Sequence, residues 1–276
     1  MEENPLIEHF VWLIPLGLVV GTYATLIGAG GGFLIAPILL LLYPKDSPET
    51  ITSISLAVAF FNSLSGSIAY GRSNRIDYKS GFIFSAGTIP GAIFGALTTP
   101  FLPRGAFDAL LGILMMAASA FLFFCPSRER HQRNHQGQPP TSYPANPNNL
   151  PYLYFYNPVL GIGLCFSIGY ITSLLGIGGG FIEVPAMVYF LKFPIHIATG
   201  TSQFIVTLTT FTASSTHIAA GLFRHGVRRT VALAIGVIIG AQLGAHVSRY
   251  IEGIWIIRAL ALALGFVGVR LIVIVI

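Results

Sequence analysis

Apolar runs long enough to cross a bilayer follow one another along nearly the whole chain, and polar residues are confined to short stretches between them. A membrane helix needs about 20 consecutive apolar residues. Two further apolar segments, at 33–43 and 181–191, are too short to span alone. We therefore expect an all-α polytopic membrane protein, with helices at about 7–27, 50–70, 81–101, 106–124, 158–175, 197–222, 227–247 and 253–275.

Two glycine clusters interrupt this pattern, each inside a run that would otherwise form one long helix. Residues 28–37 read GAGGGFLIAP, and residues 176–185, 148 positions later, read GIGGGFIEVP. Each glycine costs a helix about 1 kcal/mol relative to alanine, so three in succession predict a break. Because lipid cannot satisfy the freed backbone groups, both breaks should be buried in protein or face a water-filled cavity.

The two halves of the chain correspond beyond the glycines. Ser55 matches Ser202 at an offset of 147, and a small-xxx-small ladder starting at Gly87 matches one starting at Gly236 at an offset of 149. This regularity predicts two homologous repeats of about four spans each, with the first span of each broken at its GxGGG motif. Such ladders let membrane helices approach closely, so we expect them to serve packing.

Composition supports a membrane protein. Of 276 residues, 54% are hydrophobic and 9% charged, whereas soluble domains carry about 25% charged residues. A hydrophilic linker is predicted at 126–152, between membrane repeat one (1–125) and membrane repeat two (153–276). The net charge of +5 lies in a few loops and does not indicate nucleic-acid binding. The expected partners are the lipid bilayer and a small solute, and a homo-oligomer is left open.

Basic loops predict an orientation, because Lys and Arg are retained on the cytoplasmic side. The basic loops are 72–79, 126–135 and 223–229. If all three are cytoplasmic, each broken segment makes one net crossing and both halves face the same way. An odd number of crossings per half would instead give inverted repeats, with two of these loops on opposite sides. We favour the first arrangement, in the cell inner membrane, with the first apolar run as a retained span.

The helix ends at the glycine breaks suggest a chemistry. Helices restarting at Phe33 and Phe181 would present free N–H groups and a partial positive charge to the break. Such ends bind anions, and paired discontinuous helices hold anionic substrates in transporters. Packing is the alternative role, although packing glycines more often take small-xxx-small spacing than run three together.

The doubled GxGGGF-x-x-x-P motif, together with residues 198–202 (ATGTS) and His217, resembles the sulfite exporter TauE/SafE family of membrane transporters. The resemblance covers nearly the whole chain outside the linker. It implies an eight-or-so-span fold of two repeats that transports a small sulfur-containing anion such as sulfite or sulfoacetate. The motif residues carried over by position as substrate contacts are Gly28, Gly30, Gly31, Gly32, Pro37, Gly176, Gly178, Gly179, Gly180 and Pro185.

Polar side chains recur at helical spacing on two later spans, which places each set on one helix face. Their neutral hydroxyls and amides can replace the water around sulfite or a sulfonate without adding charge. Ser and Thr also bond their own helix backbone or bridge helices, which is the alternative for most of them. The residues expected to bind substrate are Ser55, Asn62, Ser202, Gln203 and Thr209.

Glu183 departs from the symmetry, since the offset of 148 pairs it with Ile35. An ionisable residue inside a span is a functional hypothesis by default. Three residues after Gly180, it could instead cap the helix start. A carboxylate beside an anion repels it unless protonated or paired with a cation, which favours ion-coupled transport. His217, matched to Tyr70 one turn before the cytoplasmic end, is a second candidate for ion coupling.

The favoured function is secondary transport of a small anion, because the chain has no GxxxxGK[ST] loop with which to hydrolyse ATP. The first alternative is an intramembrane enzyme, but Glu183, His217 and His246 lie on separate spans without a recognised spacing. The second is a non-transporting assembly factor. We predict no catalytic residue and no cofactor. We also predict no metal site, since the linker histidines lack companion ligands.

Overall fold

The computed structural model describes residues 12–124, 158–189, 191, 193–223, 226–248 and 250, with parts of 258–270. The predicted linker and the basic loop 126–135 lie outside the described residues. Where the chain is described, its regular elements are helices, as predicted. They are α1 (Leu13–Ile27), α2 (Gly32–Leu42), α3 (Pro48–Arg72), α4 (Tyr78–Thr98), α5 (Arg104–Phe124), α6 (Pro158–Leu174), α7 (Gly180–Tyr189), α8 (Ile195–Ala219) and α9 (Val227–Val247), with a 3₁₀ turn at Thr99–Phe101.

The outer faces of these helices are apolar, and many polar side chains are inside. Phe94 and Phe101 are exposed, whereas Asn62 and Gln203 are fully buried. By length and composition, three of the described helices are long and apolar enough to cross a membrane: α3, α4 with its 3₁₀ turn, and α9. This distribution, opposite to that of a soluble protein, fits a chain surrounded by lipid.

Two glycine-lined seams pair helices from different halves of the chain. A Cβ placed on Gly240 of α9 would lie 2.3 Å from the Leu18 carbonyl oxygen of α1, and one on Gly91 of α4 would lie 2.1 Å from the Phe166 carbonyl oxygen of α6. The next glycine on each ladder meets the carbonyl one turn further along the partner helix. The pairs α1–α9 and α4–α6 are therefore parallel and too close for any residue larger than glycine.

The two long central helices, α3 and α8, are antiparallel. Ser53, near the start of α3, has its Oγ 2.7 Å from Nδ1 of His217, near the end of α8. Towards the end of α3, a Cβ on Gly66 would lie 3.2 Å from Cδ of Gln203, in the first half of α8. The two helices that the sequence pairs at an offset of 147 therefore run in opposite directions. The expectation that both halves face the same way is wrong.

Each glycine cluster turns the chain back on itself. α1 runs parallel to α9, yet α2 ends at Leu42 beside the start of α9, where the Arg229 guanidinium lies 3.7 Å from the ring centroid of Tyr43. α2 therefore returns toward the end at which α1 begins. The expected single net crossing is wrong because Gly28 and Gly31, with φ of 85° and 87°, adopt left-handed backbone that reverses the chain.

The basic loops 72–79 and 223–229 lie at opposite ends of α3. Arg75 follows α3, and its Nη1 lies 3.3 Å from Ser248 Oγ at the end of α9. Arg229 forms a salt bridge with Asp46, just before α3. The prediction that these two loops share the cytoplasmic face is therefore wrong. Tyr70 and His217, expected at one level, likewise lie toward opposite ends.

Candidate functional site

The two glycine clusters meet. We call residues 28–31 the first glycine turn and 176–179 the second glycine turn. A Cβ on Gly32, where α2 begins, would lie 2.9 Å from the Gly176 carbonyl oxygen, and a Cβ on Gly180, where α7 begins, would lie 2.5 Å from the Gly28 carbonyl oxygen. Segments 148 residues apart thus form one joint between the halves, with two helix amino termini at it.

Phenylalanines close the joint next to these glycines. The rings of Phe33 and Phe181, each the second residue of its helix, stack with centroids 6.2 Å apart, and both are fully buried. The partial positive charges at the starts of α2 and α7 therefore lie in the same buried region. Two such ends at one point favour a negatively charged ligand over a cation.

A serine from each central helix ties the joint together. Ser55 donates to the Gly176 carbonyl, with its Oγ 2.7 Å from that oxygen and 3.1 Å from the Gly32 oxygen. Ser202 Oγ lies 3.1 Å from the Gly28 oxygen and 3.2 Å from Glu183 Oε2. Each serine thus reaches the first glycine of the turn from the other half. The structure brings both predicted serines to the joint, where they bond its backbone.

Two predicted amides lie on the same central helices with polar atoms left over. Asn62 Oδ1 lies 3.3 Å from Thr25 Oγ1, whereas Asn62 Nδ2 has no partner among the described residues. A Cβ placed on Gly31 would lie 3.4 Å from that nitrogen, so the amide is next to the first glycine turn. Neither amide atom of Gln203 has a partner there either. Buried amides are normally hydrogen-bonded. These side chains are therefore the best candidates for contacting a ligand.

Other predicted contacts lie outside the joint. The Thr209 hydroxyl bonds the Ile205 carbonyl in its own helix at 2.9 Å and lies 3.1 Å from Thr88 Oγ1 of α4. Pro185 lines an apolar pocket of about 370 Å³ between α5, α6 and α7. Pro37 is buried inside α2. These residues shape or pack the helices beside the turns.

Glu183 lies in the first turn of α7 and is only 5% exposed. Its Oε2 accepts a hydrogen bond from Ser202, and its Oε1 has no partner within the described chain. Oε1 lies beside the second glycine turn, 3.0 Å from the position of a Cβ placed on Gly179. The capping interpretation requires this carboxylate to accept a hydrogen bond from a backbone N–H at the helix start, and the structure shows it accepting from Ser202 of α8 instead. In the described part of the chain the salt bridges are Arg104–Asp108 and Arg229–Asp46, so no cationic side chain pairs with Glu183.

His217 is fully buried beside the start of α3. Its Nδ1 lies 2.7 Å from Ser53 Oγ, and its Nε2 has no partner in the described residues. Its sequence counterpart, Tyr70, donates to the Thr25 carbonyl at 2.8 Å. The matched positions thus carry a titratable imidazole near one end of the central helices and a phenol near the other.

Sequence reasoning missed two threonines that pack directly on the turns. A Cβ on Gly28 would lie 2.8 Å from Cα of Thr199, and one on Gly176 would lie 2.8 Å from Cα of Thr52. Both threonines are buried, and they correspond at the same offset of 147 that pairs Ser55 with Ser202. That shared offset was the signal that could have identified them.

Comparison with known proteins identifies the family. The family model for the sulfite exporter TauE/SafE matches residues 13–271. The chain belongs to this family. The resemblance inferred from the doubled motif is thus confirmed, and it extends through both halves.

Three relatives cover the chain almost completely. The probable membrane transporter protein YunE of Bacillus subtilis is 34% identical over 269 residues, covering 95% of this chain and 97% of that protein. YdhB of the same organism, also named a probable membrane transporter protein, is 27% identical over 93% of this chain and 96% of its own length. A probable membrane transporter protein of Methanocaldococcus jannaschii is 24% identical over 94% and 96%. No solved structure matches.

Proposed function

We propose that this membrane protein is a secondary transporter that moves a small anion across the cytoplasmic membrane, with the anion bound at the joint. The observation that carries the proposal is the meeting of two helix amino termini, at Gly32 and Gly180, inside a buried and mostly uncharged polar region. Helix amino termini offer N–H groups and positive potential to an anion without a positively charged side chain.

The neutral surroundings favour an oxyanion with several oxygens. The unpartnered amide nitrogen of Asn62 and the amide of Gln203 can donate, and hydroxyls of the same helices can both donate and accept. Sulfite and the sulfonates present three oxygens that accept such bonds. The family description names sulfite, so a sulfur oxyanion or organosulfonate is the substrate class we propose.

The opposed direction of α3 and α8 supports a transport mechanism. We propose that the chain consists of two homologous repeats of inverted orientation and that each glycine turn belongs to one repeat. In transporters of this design the substrate lies at the interface of the repeats, and one repeat rocks against the other to expose it alternately to each side. The reciprocal contacts of Gly32 and Gly180 are the natural place for such a movement.

Glu183 is the proposed coupling residue, because an unpaired ionised carboxylate is costly to bury. It must be neutralised by a proton or a cation when the anion binds nearby. Co-movement of the anion and that ion follows, since neutralising Glu183 removes its repulsion of the anion.

Flux into proteoliposomes tests the proposal. Purified protein should give saturable uptake of sulfite, a sulfonate or a related sulfur oxyanion, with the anion chemically unchanged. Asn62→Ala and Gln203→Ala should raise KM. The control variant Gln242→Ala removes an amide whose bonds are to Ser65 and not to either glycine turn, and it should leave KM unchanged. Chemical conversion of the anion would favour the enzyme alternative, and absence of flux the assembly factor.

A further inference from the structure

The hydroxyl of Ser202 faces two acceptors and has one proton. Its Oγ lies 3.1 Å from the Gly28 carbonyl oxygen and 3.2 Å from Glu183 Oε2. The carbonyl oxygen is always an acceptor, and the ionised carboxylate is an acceptor without a proton to donate. With Glu183 ionised, Ser202 can satisfy one of them fully. With Glu183 protonated, the acid can donate to Ser202 while Ser202 donates to Gly28, and all three groups are satisfied.

The matching serine in the other half also has two acceptors for one proton, but both are backbone carbonyls. Ser55 lies 2.7 Å from the Gly176 oxygen and 3.1 Å from the Gly32 oxygen, and neither oxygen titrates. Ile35, which corresponds to Glu183, is buried and apolar. In both halves, therefore, a serine bonds the carbonyl of the first glycine in the opposite turn. Of these two serines, Ser202 is the one that also bonds a group able to gain or lose a proton.

We propose that the ion coupled to transport is a proton held by Glu183, and that the protonated acid links the second glycine turn to the first through the chain Glu183 O–H to Ser202 O–H to Gly28 C=O. This deepens the proposed function and rests on it. Ser202 acts as a positioning residue: it relays the protonation of Glu183 to the opposite half of the protein. Proton binding would therefore tighten the joint, and proton release would loosen it.

The groups facing Glu183 do not offer a competing explanation for such a proton dependence. From α6, the buried thiol of Cys165 is the titratable group near it, and the Thr172 hydroxyl bonds the Ile168 carbonyl. From α8 the hydroxyl of Ser202 bonds it, and the same hydroxyl bonds the Gly28 carbonyl of the first glycine turn. Glu183 is the acidic residue in the first turn of its own helix, and within the described chain no three His, Cys, Asp or Glu side chains group as metal ligands.

Thermal unfolding of the purified full chain in detergent, without substrate, tests the proposal between pH 5 and pH 9. The wild type should be most stable at low pH and lose about 5 °C of Tm as Glu183 releases its proton, because the buried junction then lacks one donor. Glu183→Gln should remove this pH dependence, since its amide N–H donates to Ser202 at every pH. Glu49→Gln, in the first turn of α3, removes a carboxylate elsewhere and should keep the wild-type slope.

Two serine variants separate a relay from simple packing. Ser202→Ala should lower Tm and reduce its pH dependence to the part that burial of the carboxylate alone causes. Ser55→Ala should lower Tm by a similar amount and retain the wild-type slope. Infrared difference spectra between low and high pH should show a protonated carboxyl band that Glu183→Gln lacks.

Three results would overturn the proton assignment. One is an identical pH profile for the wild type and Glu183→Gln. Another is an unchanged slope in Ser202→Ala. The third is stabilisation by Na⁺ at fixed high pH in the wild type but not in Glu183→Gln, which would show a metal cation in place of the proton. Because no substrate is present, failure of the flux experiment would leave these outcomes unaffected.

Discussion

The first and second glycine turns follow almost the same backbone path, since their left-handed glycines have φ between 71° and 87° in both. Each turn packs on a threonine of the other half's central helix and is held by a serine of that helix. Beside the turns, the second half has a buried carboxyl, Glu183, where the first half has the apolar Ile35. In the proposed mechanism the shared backbone of the two turns binds the anion, and the carboxyl of one half couples an ion to its movement.

Binding an anion and coupling an ion to its transport require different chemical groups. An anion site needs donors and positive potential, which backbone provides equally from both halves. A coupling site needs a group that changes charge, and two such groups facing each other would repel when ionised. In the proposed mechanism the two glycine turns fill the first role and Glu183 fills the second.

The largest expected effect comes from alanine in the turns. Gly28→Ala and Gly176→Ala each place a Cβ 2.8 Å from a threonine Cα on left-handed backbone. Each should destabilise by about 3 kcal/mol through strain and overpacking, equally in the two halves. Unfolding of the purified variants measures this. The control Gly105→Ala has no atom within 4 Å of the new Cβ and should change stability little. A large difference between the two turn variants would contradict their equivalence.

The variant Ile35→Glu gives the first half a buried carboxyl at the position that corresponds to Glu183. Ile35→Glu buries a second carboxylate at a position that is 1% exposed. It should destabilise by about 3 kcal/mol at pH 8 and by less at pH 5, because the protonated acid is neutral and cheaper to bury. Thermal unfolding at the two pH values gives the difference, with Ile35→Leu as the volume control. Equal destabilisation at both pH values would show that only shape matters there.

Removing the serines should cost less. Ser55→Ala and Ser202→Ala each delete a buried hydrogen-bond donor, and each should cost about 1–3 kcal/mol at low pH. Raising the pH should lower the stability of Ser55→Ala as much as that of the wild type and lower that of Ser202→Ala less, because in Ser202→Ala only the cost of burying the ionised carboxylate is left. Paired denaturation curves at low and high pH provide the measurement, and parallel behaviour of the two variants would count against the asymmetry.

The smallest effect is expected on substrate binding. Asn62 and Thr209 correspond in sequence, but Asn62 faces the first glycine turn while Thr209 bonds its own helix and α4. Asn62→Leu should raise the KM for the transported anion about tenfold, equivalent to about 1.4 kcal/mol. Thr209→Val should change KM less than about twofold on the same scale. Initial uptake rates across a concentration series test the pair, and equal KM changes would remove Asn62 from the site.

Local patterns were enough to predict the helices. The predicted spans at 50–70, 106–124 and 227–247 correspond closely to α3, α5 and α9, because a membrane helix is specified by its own apolar length. The glycine ladders were likewise assigned to packing, because their spacing by itself places them on one helix face. The breaks could be located for the same reason, since glycine disfavours a helix wherever the rest of the chain lies.

The direction of the chain after each break could not be predicted in this way. Whether Gly28 to Gly31 carry the chain onward or reverse it depends on their φ angles, and glycine can adopt either sign at similar cost. The basic loops misled for the same reason: the charges near Arg75 and Arg229 are similar, yet the reversal at each turn places them at opposite ends of α3. Only contacts between distant segments decide this.

The sequence by itself determined the membrane-embedded helical class, the doubled glycine motif and the family, because these depend on residue type and spacing along the chain. The tertiary structure decided the opposed direction of the halves, the meeting of the glycine turns and the pairing of Ser202 with Glu183. Those features arise from close approach between residues far apart in sequence, and glycine's freedom of conformation leaves that approach to be set by packing.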